Sequence, residues 1–169
     1  MDERTKKRAT RHIIYEMRMF YFTYQKIHER GIDKMVRNAM IESCIIHAYN
    51  LFRFFYQGEN EYKKDKSVSL KRSRTIYSKR PRKPTDIIAE DYIEKRADFK
   101  KNRTPKSIFS SLEKKRNKQL AHLTYDRVKM RGWSEKMFEK LWVTADVFLV
   151  TLPENRKKWF ADSRNIPFP

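Results

Sequence analysis

Met40-Ile41-Glu42-Ser43-Cys44-Ile45-Ile46-His47-Ala48-Tyr49-Asn50-Leu51-Phe52-Arg53-Phe54-Phe55-Tyr56 decides the fold. Met40, Cys44, His47, Leu51 and Phe54 recur at steps of four and three, and Ile41, Ile45, Ala48, Phe52 and Phe55 run beside them. On a helix of 3.6 residues per turn these positions make a wide apolar face. A helix with so much apolar surface belongs at the centre of a bundle. The reading places it at about Asp33 to Tyr56, with Asp33 as its N-cap.

Two other helices share this pattern. From about Thr5 to Glu29, Ile13, Met17, Phe20, Tyr24 and Ile27 form one seam, widened by Ile14 and Tyr21, and Gly31 follows where glycine favours helix ends. From about Ser134 to Leu152, Phe138, Leu141, Ala145, Phe148 and Leu152 form another, flanked by Trp142 and Leu149, with Pro153 ending it. Trp133 and Phe138 are spaced for a hydrophobic staple around this helix's start. A third long helix is expected to open at Thr104-Pro105, a cap and a first-turn proline, with Phe109, Leu112, Arg116, Leu120 and Leu123 on its inward row. Thr85 to Ile93 reads as a short capped helix, and Lys100 to Arg103 as a polar link. The expected fold is all-α, a bundle of four long helices plus a short connecting helix, in one domain over residues 1–169.

The 169 residues carry 40 Lys+Arg against 21 Asp+Glu, a formal net charge of +19. A domain so basic attracts polyanions and releases counterions on meeting phosphates, so RNA or DNA is the expected partner, ahead of an anionic membrane surface or a basic protein that is merely soluble. Much of the excess lies in a segment without apolar periodicity, about residues 59–84. There Lys71, Arg72, Arg74, Lys79, Arg80, Arg82 and Lys83 are candidate phosphate ligands, and Tyr62 and Tyr77 are available for stacking. Such a composition cannot bury enough surface to fold alone, and it reads as a basic flexible insertion or a solvated linker. The tail, about 154–169, is basic and then aromatic, able to pack through Trp159 and Phe160 or to stay loose.

No apolar run is long enough to span a bilayer and the first residues lack a secretory core, so the expected location is cytoplasmic, away from membranes. The single cysteine, Cys44, excludes an internal disulfide and a thiolate metal cluster and reads as a small buried hydrophobe. No carboxylate or histidine cluster has metal-ligand spacing, and neither a metal nor a cofactor is expected. His47, on the apolar face, is expected either to be satisfied by a core neighbour or to line a cleft, and Glu42 is expected to form an ion pair. Arg116, on a nominally inward row, must be paired, must snorkel, or must face a polar cleft.

Arg116-Asn117, followed after a short gap by His122, resembles the signature of the HEPN superfamily (higher eukaryotes and prokaryotes nucleotide-binding domains). Its pattern is an arginine, an adjacent polar residue, and a histidine a few positions on. Asn117-Lys118-Gln119-Leu120-Ala121-His122-Leu123-Thr124 is similar to a form found among bacterial members. Ile41 to Leu51 resembles the helix that precedes the signature in one such group, as does Asp86-Ile87-Ile88-Ala89-Glu90-Asp91 the segment between. The resemblance covers roughly Asp33 to Leu152.

It implies a helical bundle that pairs as a two-fold homodimer, with the two signatures in a shared cleft, and metal-independent RNA endonuclease activity of the toxin or defence kind, with a cognate antitoxin or other protein as a possible partner. In those roles His122 is the acid or base, Arg116 the phosphate clamp and Asn117 the orienting residue. Lys115, Lys118 and Tyr125 lie beside them to contact RNA, and Glu42, His47 and Asn50 on the preceding helix support them. Two positions depart from the related strings: Lys115 and Tyr49 stand where arginine is usual. At about 100° per residue Lys115 shares a helix face with His122 while Arg116 does not, so the basic partner of His122 is Arg116 by motif or Lys115 by face. The alternative function is a HEPN-like protein that binds RNA or a partner without cleavage. A basic DNA-binding bundle lacks a helix-turn-helix pairing.

Overall fold

The computed structural model describes residues 2–57, 87–110, 112 and 135–165, and all their regular structure is helical. Helix α1 spans Glu3–Ile27, α2 Lys34–Tyr56, α3 Arg96–Asn102, α4 Glu135–Thr151 and α5 Glu154–Lys157. Three 3-10 segments, Ala89–Asp91, Lys106–Phe109 and Lys158–Asn165, complete the described elements.

The α1 and α2 boundaries follow from their caps. Asp2 accepts the Thr5 N–H at 2.7 Å, so α1 begins two residues before the expected start, and Asp33 accepts from Met35 and Val36 at 2.8 and 3.1 Å. Between them α1 tightens at His28, whose N–H meets Gln25, and the chain reverses at Gly31, whose φ of 78° suits glycine. The two helices pack along the seams read from sequence. Ile13, Met17 and Phe20 meet Cys44, Ile45, Ala48 and Leu51, all buried.

Helix α4 covers one side of this pair. Phe20 stacks on Trp142 with ring centroids 4.8 Å apart, and Phe54 and Phe55 both meet Phe148 at 5.2 and 5.7 Å. Phe148 is the hub of the aromatic core, since Tyr92, Phe99 and Phe160 also pack against it at 5.4 to 6.3 Å. Edge-to-face rings at these separations add to the stabilisation from burial alone.

Three sequence expectations are corrected. The stretch Thr85 to Ile93 is not a capped α-helix in its described part; Ile88 is extended and only Ala89–Asp91 turns, as a single 3-10 turn, while Ile88, Ala89, Tyr92 and Ile93 are all buried. Lys100 to Arg103 is not a bare link, since α3 occupies Arg96–Asn102. It escaped notice because Phe99 is its one buried residue, too little for a periodic signal. The element after it begins at Lys106, not at Pro105, whose ψ of 135° is extended. Thr104 does not cap it either: its hydroxyl donates to the Lys140 carbonyl of α4 at 2.9 Å. The tail takes the packed one of its two expected courses, with described structure through Asn165. Phe160 is buried, Trp159 packs beside it, and Arg156 joins Glu3 at 2.9 Å, which straps the chain's end across the start of α1. Trp133 and the remainder of the third long helix lie outside the described residues.

Arg103 is buried in the wall between α2 and α3. Its guanidinium lies 4.3 Å from the Tyr56 ring and 5.2 Å from Phe99, and it donates to the Phe55 carbonyl. A buried cation needs such partners, and two ring faces with a carbonyl supply them.

Candidate functional site

Of the residues singled out by sequence, Glu42, His47 and Asn50 fall within the described part. Arg116, Asn117, His122, Lys115, Lys118 and Tyr125 lie outside it, as do Lys71, Arg72, Arg74, Lys79, Arg80, Arg82 and Lys83. The chain enters the signature from a defined place: Phe109 packs on Phe52 and Tyr56 of α2, with centroids 5.7 and 5.4 Å away, and Leu112 is fully buried.

One turn or two before those aromatics, α2 carries a polar cluster on its α1 side. His47 Nδ1 lies 2.7 Å from Glu16 Oε2, and the Asn50 amide donates to the same oxygen at 3.2 Å. Tyr15 meets the imidazole edge-on at 5.7 Å. An ionised carboxylate only accepts, so in this contact Nδ1 is the nitrogen that carries the hydrogen. The His47 side chain keeps 11% of its surface exposed and Glu16 24%, which puts the pair at the rim of the core rather than inside it. Chemically, the arrangement orients a histidine ring by its Nδ1 at the edge of the core.

Sequence reading found His47 and Asn50 and missed Glu16, which joins them. A signal existed. Glu16 is the one acidic residue between Arg4 and Ile27, and it sits beside the α1 seam, four residues before Phe20. Glu42, by contrast, is exposed. Tyr49 packs against the core beside Phe52, so a tyrosine ring occupies the position where the related strings carry arginine.

Cys44, one turn before His47, is fully buried, and burial pushes its thiol up to about 12. It is a packing residue at neutral pH, because the reactive thiolate is not populated. Among the described residues no three His, Cys, Asp or Glu side chains group as a metal site, and no helix is long and apolar enough to cross a membrane.

The class these observations define is an all-helical, strongly basic protein with an aromatic core and a carboxylate-held histidine between its first two helices. Comparison with protein-family models, curated proteins and solved structures finds no match.

Proposed function

We propose that this chain is a HEPN-type RNA endonuclease that needs no metal and acts as a two-fold homodimer in the cytoplasm. The observation that carries the reading is Arg116-Asn117 with His122 in a chain of net charge +19. The helical framework and the Glu16-His47-Asn50 cluster, on the helix that resembles the one preceding the signature, support it.

In this reading His122 accepts the proton of a ribose 2′-hydroxyl as that oxygen bonds to the adjacent phosphorus. The bond from phosphorus to the 5′-oxygen breaks, and the leaving oxygen takes a proton from solvent or from the partner's imidazolium. The products are a 2′,3′-cyclic phosphate and a 5′-hydroxyl. Arg116, or Lys115 on the histidine's own face, neutralises the charge that grows on the phosphate, and Asn117 orients it. Lys118, Tyr125 and the basic segment bind flanking RNA.

The second reading is RNA binding without cleavage, and Tyr49 favours it. A ring packed on the core stands where a cation would assist the phosphate. Labelled RNA incubated in EDTA with the wild-type chain, His122→Ala, Arg116→Ala and Lys115→Ala separates the two. Cleavage abolished by His122→Ala, and by one of the two basic changes, supports the nuclease. Cleavage indifferent to His122→Ala removes that histidine from the chemistry, and binding without cleavage by any form establishes the second reading.

A further inference from the structure

Helix α1 buries one side against α2 and α4, and the opposite side carries a regular stripe. Arg4, Arg8, Arg11, Tyr15, Arg18 and Phe22 follow steps of four, three, four, three and four, and all six are exposed. At about 100° per residue they fall within an arc of about 80°, and about 27 Å separates the first from the last along the axis. Lys7 and Lys26 flank the stripe. Both acidic residues of α1, Glu3 and Glu16, lie about 100° or more from its centre line.

The aromatic members are not core residues seen at an edge. Tyr15 is 53% exposed and Phe22 47%, on a helix whose other large apolar residues are buried or half-buried. Lys26 Nζ sits over the Phe22 ring at 5.6 Å, which places a further cation at the stripe's end. Among the described residues no carboxylate pairs with Arg4, Arg8 or Arg11.

We infer that this face of α1 is a binding surface for single-stranded RNA, with the arginines on phosphates and Tyr15 and Phe22 under bases. Guanidinium groups take phosphate oxygens in pairs, and exposed rings stack bases of any identity. The alternation of cation and ring is what a strand with phosphates outside and bases splayed requires. An anionic membrane fits less well, because a helix lying in a bilayer surface needs a continuous apolar face, and here Tyr15 and Phe22 are separated by Arg18. Tyr15 also touches His47, so a strand on the stripe passes beside the carboxylate-held imidazole. The inference rests on the reading of the chain as RNA-binding, and not on the signature at Arg116, Asn117 and His122.

Fluorescence anisotropy of the full chain with a labelled oligouridine of about 20 nucleotides tests it across a salt series. The triple variant Arg4→Gln/Arg8→Gln/Arg11→Gln should bind about tenfold or more weakly and flatten the slope of log K against log salt by about 2. The double variant Tyr15→Leu/Phe22→Leu should lose about tenfold with its salt slope unchanged. A control with the same loss of charge, Lys95→Gln/Lys101→Gln/Lys106→Gln on exposed positions near α3, should change affinity less than about threefold. Circular dichroism checks that each variant keeps its helices.

Equal losses in the two triple variants, an aromatic double variant that binds like wild type, or no binding by wild type each overturn the inference. So does loss of binding to phosphatidylserine vesicles by the arginine variant with RNA affinity intact. Stripe-dependent binding without any cleavage upholds this surface and overturns only the nuclease reading. Cleavage lost in His122→Ala, with oligouridine affinity unaffected by either stripe variant, does the reverse.

Discussion

Glu16 Oε2 accepts from both His47 Nδ1, at 2.7 Å, and the Asn50 amide, at 3.2 Å, so a single oxygen of α1 satisfies two polar side chains of α2. Removing it leaves a largely buried imidazole nitrogen without a partner, and an unsatisfied group of this kind costs more than a lost surface bond. Glu16→Ala should therefore lower unfolding stability by about 1–3 kcal/mol in urea titrations. Glu16→Gln, which keeps an acceptor oxygen, should recover much of the loss. A Glu16→Ala protein as stable as wild type would show that solvent replaces the carboxylate freely.

Cys44 offers a direct reading of the core between α1 and α2. Its side chain is fully buried and its thiol is pushed up to about 12, both consequences of the packing around it. Iodoacetamide at neutral pH should label the native chain only as fast as the helices separate. In denaturant the reaction should proceed at the rate of a free thiol. Fast labelling of native protein would mean that the pair opens locally.

The three long described helices were legible because each has a continuous seam: Ile13 to Phe20, Cys44 to Leu51 and Phe138 to Phe148 are buried as their spacing requires. What was illegible is short or joined through single residues. Helix α3 holds to the core by Phe99, and Thr104 turns its hydroxyl to Lys140 instead of capping its own segment, a choice that depends on a neighbour remote in sequence. The cluster was half legible for the same reason. His47 and Asn50 share one helix and a spacing, whereas Glu16 is thirty-one residues from His47 and meets it only when α1 and α2 pack.

At the start of α1, the Thr5 backbone N–H holds the Asp2 carboxyl below the usual range, and the bond from Lys6 does the same for Glu3, helped by Arg156. Carboxyls depressed by folding stabilise the native state above their unfolded pKa. That contribution begins to fade as pH falls through the ordinary carboxylate range and is lost below the depressed folded values. Amide exchange at Thr5 and Lys6, corrected for the intrinsic rate, should accelerate on acidification before exchange in the middle of α2 does. Equal behaviour of the two regions would show that the cap does not govern the end of the helix.

The strap at the chain's end is tied to the same place. Phe160 packs on Tyr92 and Phe148 at 5.7 and 5.4 Å, the Tyr92 hydroxyl donates to the Lys6 carbonyl at 2.9 Å, and Arg156 reaches Glu3. Phe160→Ala removes a fully buried ring from the hub around Phe148 and should cost about 3–5 kcal/mol of unfolding stability. Arg156→Gln breaks an ion pair with the exposed Glu3 and a link to the Asp91 carbonyl, so a much smaller loss than that of Phe160→Ala is expected. The two effects can be compared by thermal melting monitored at the tyrosine and tryptophan bands. If the strap merely lay on the surface, Phe160→Ala would melt with wild type, and the aromatic core would end at Phe148.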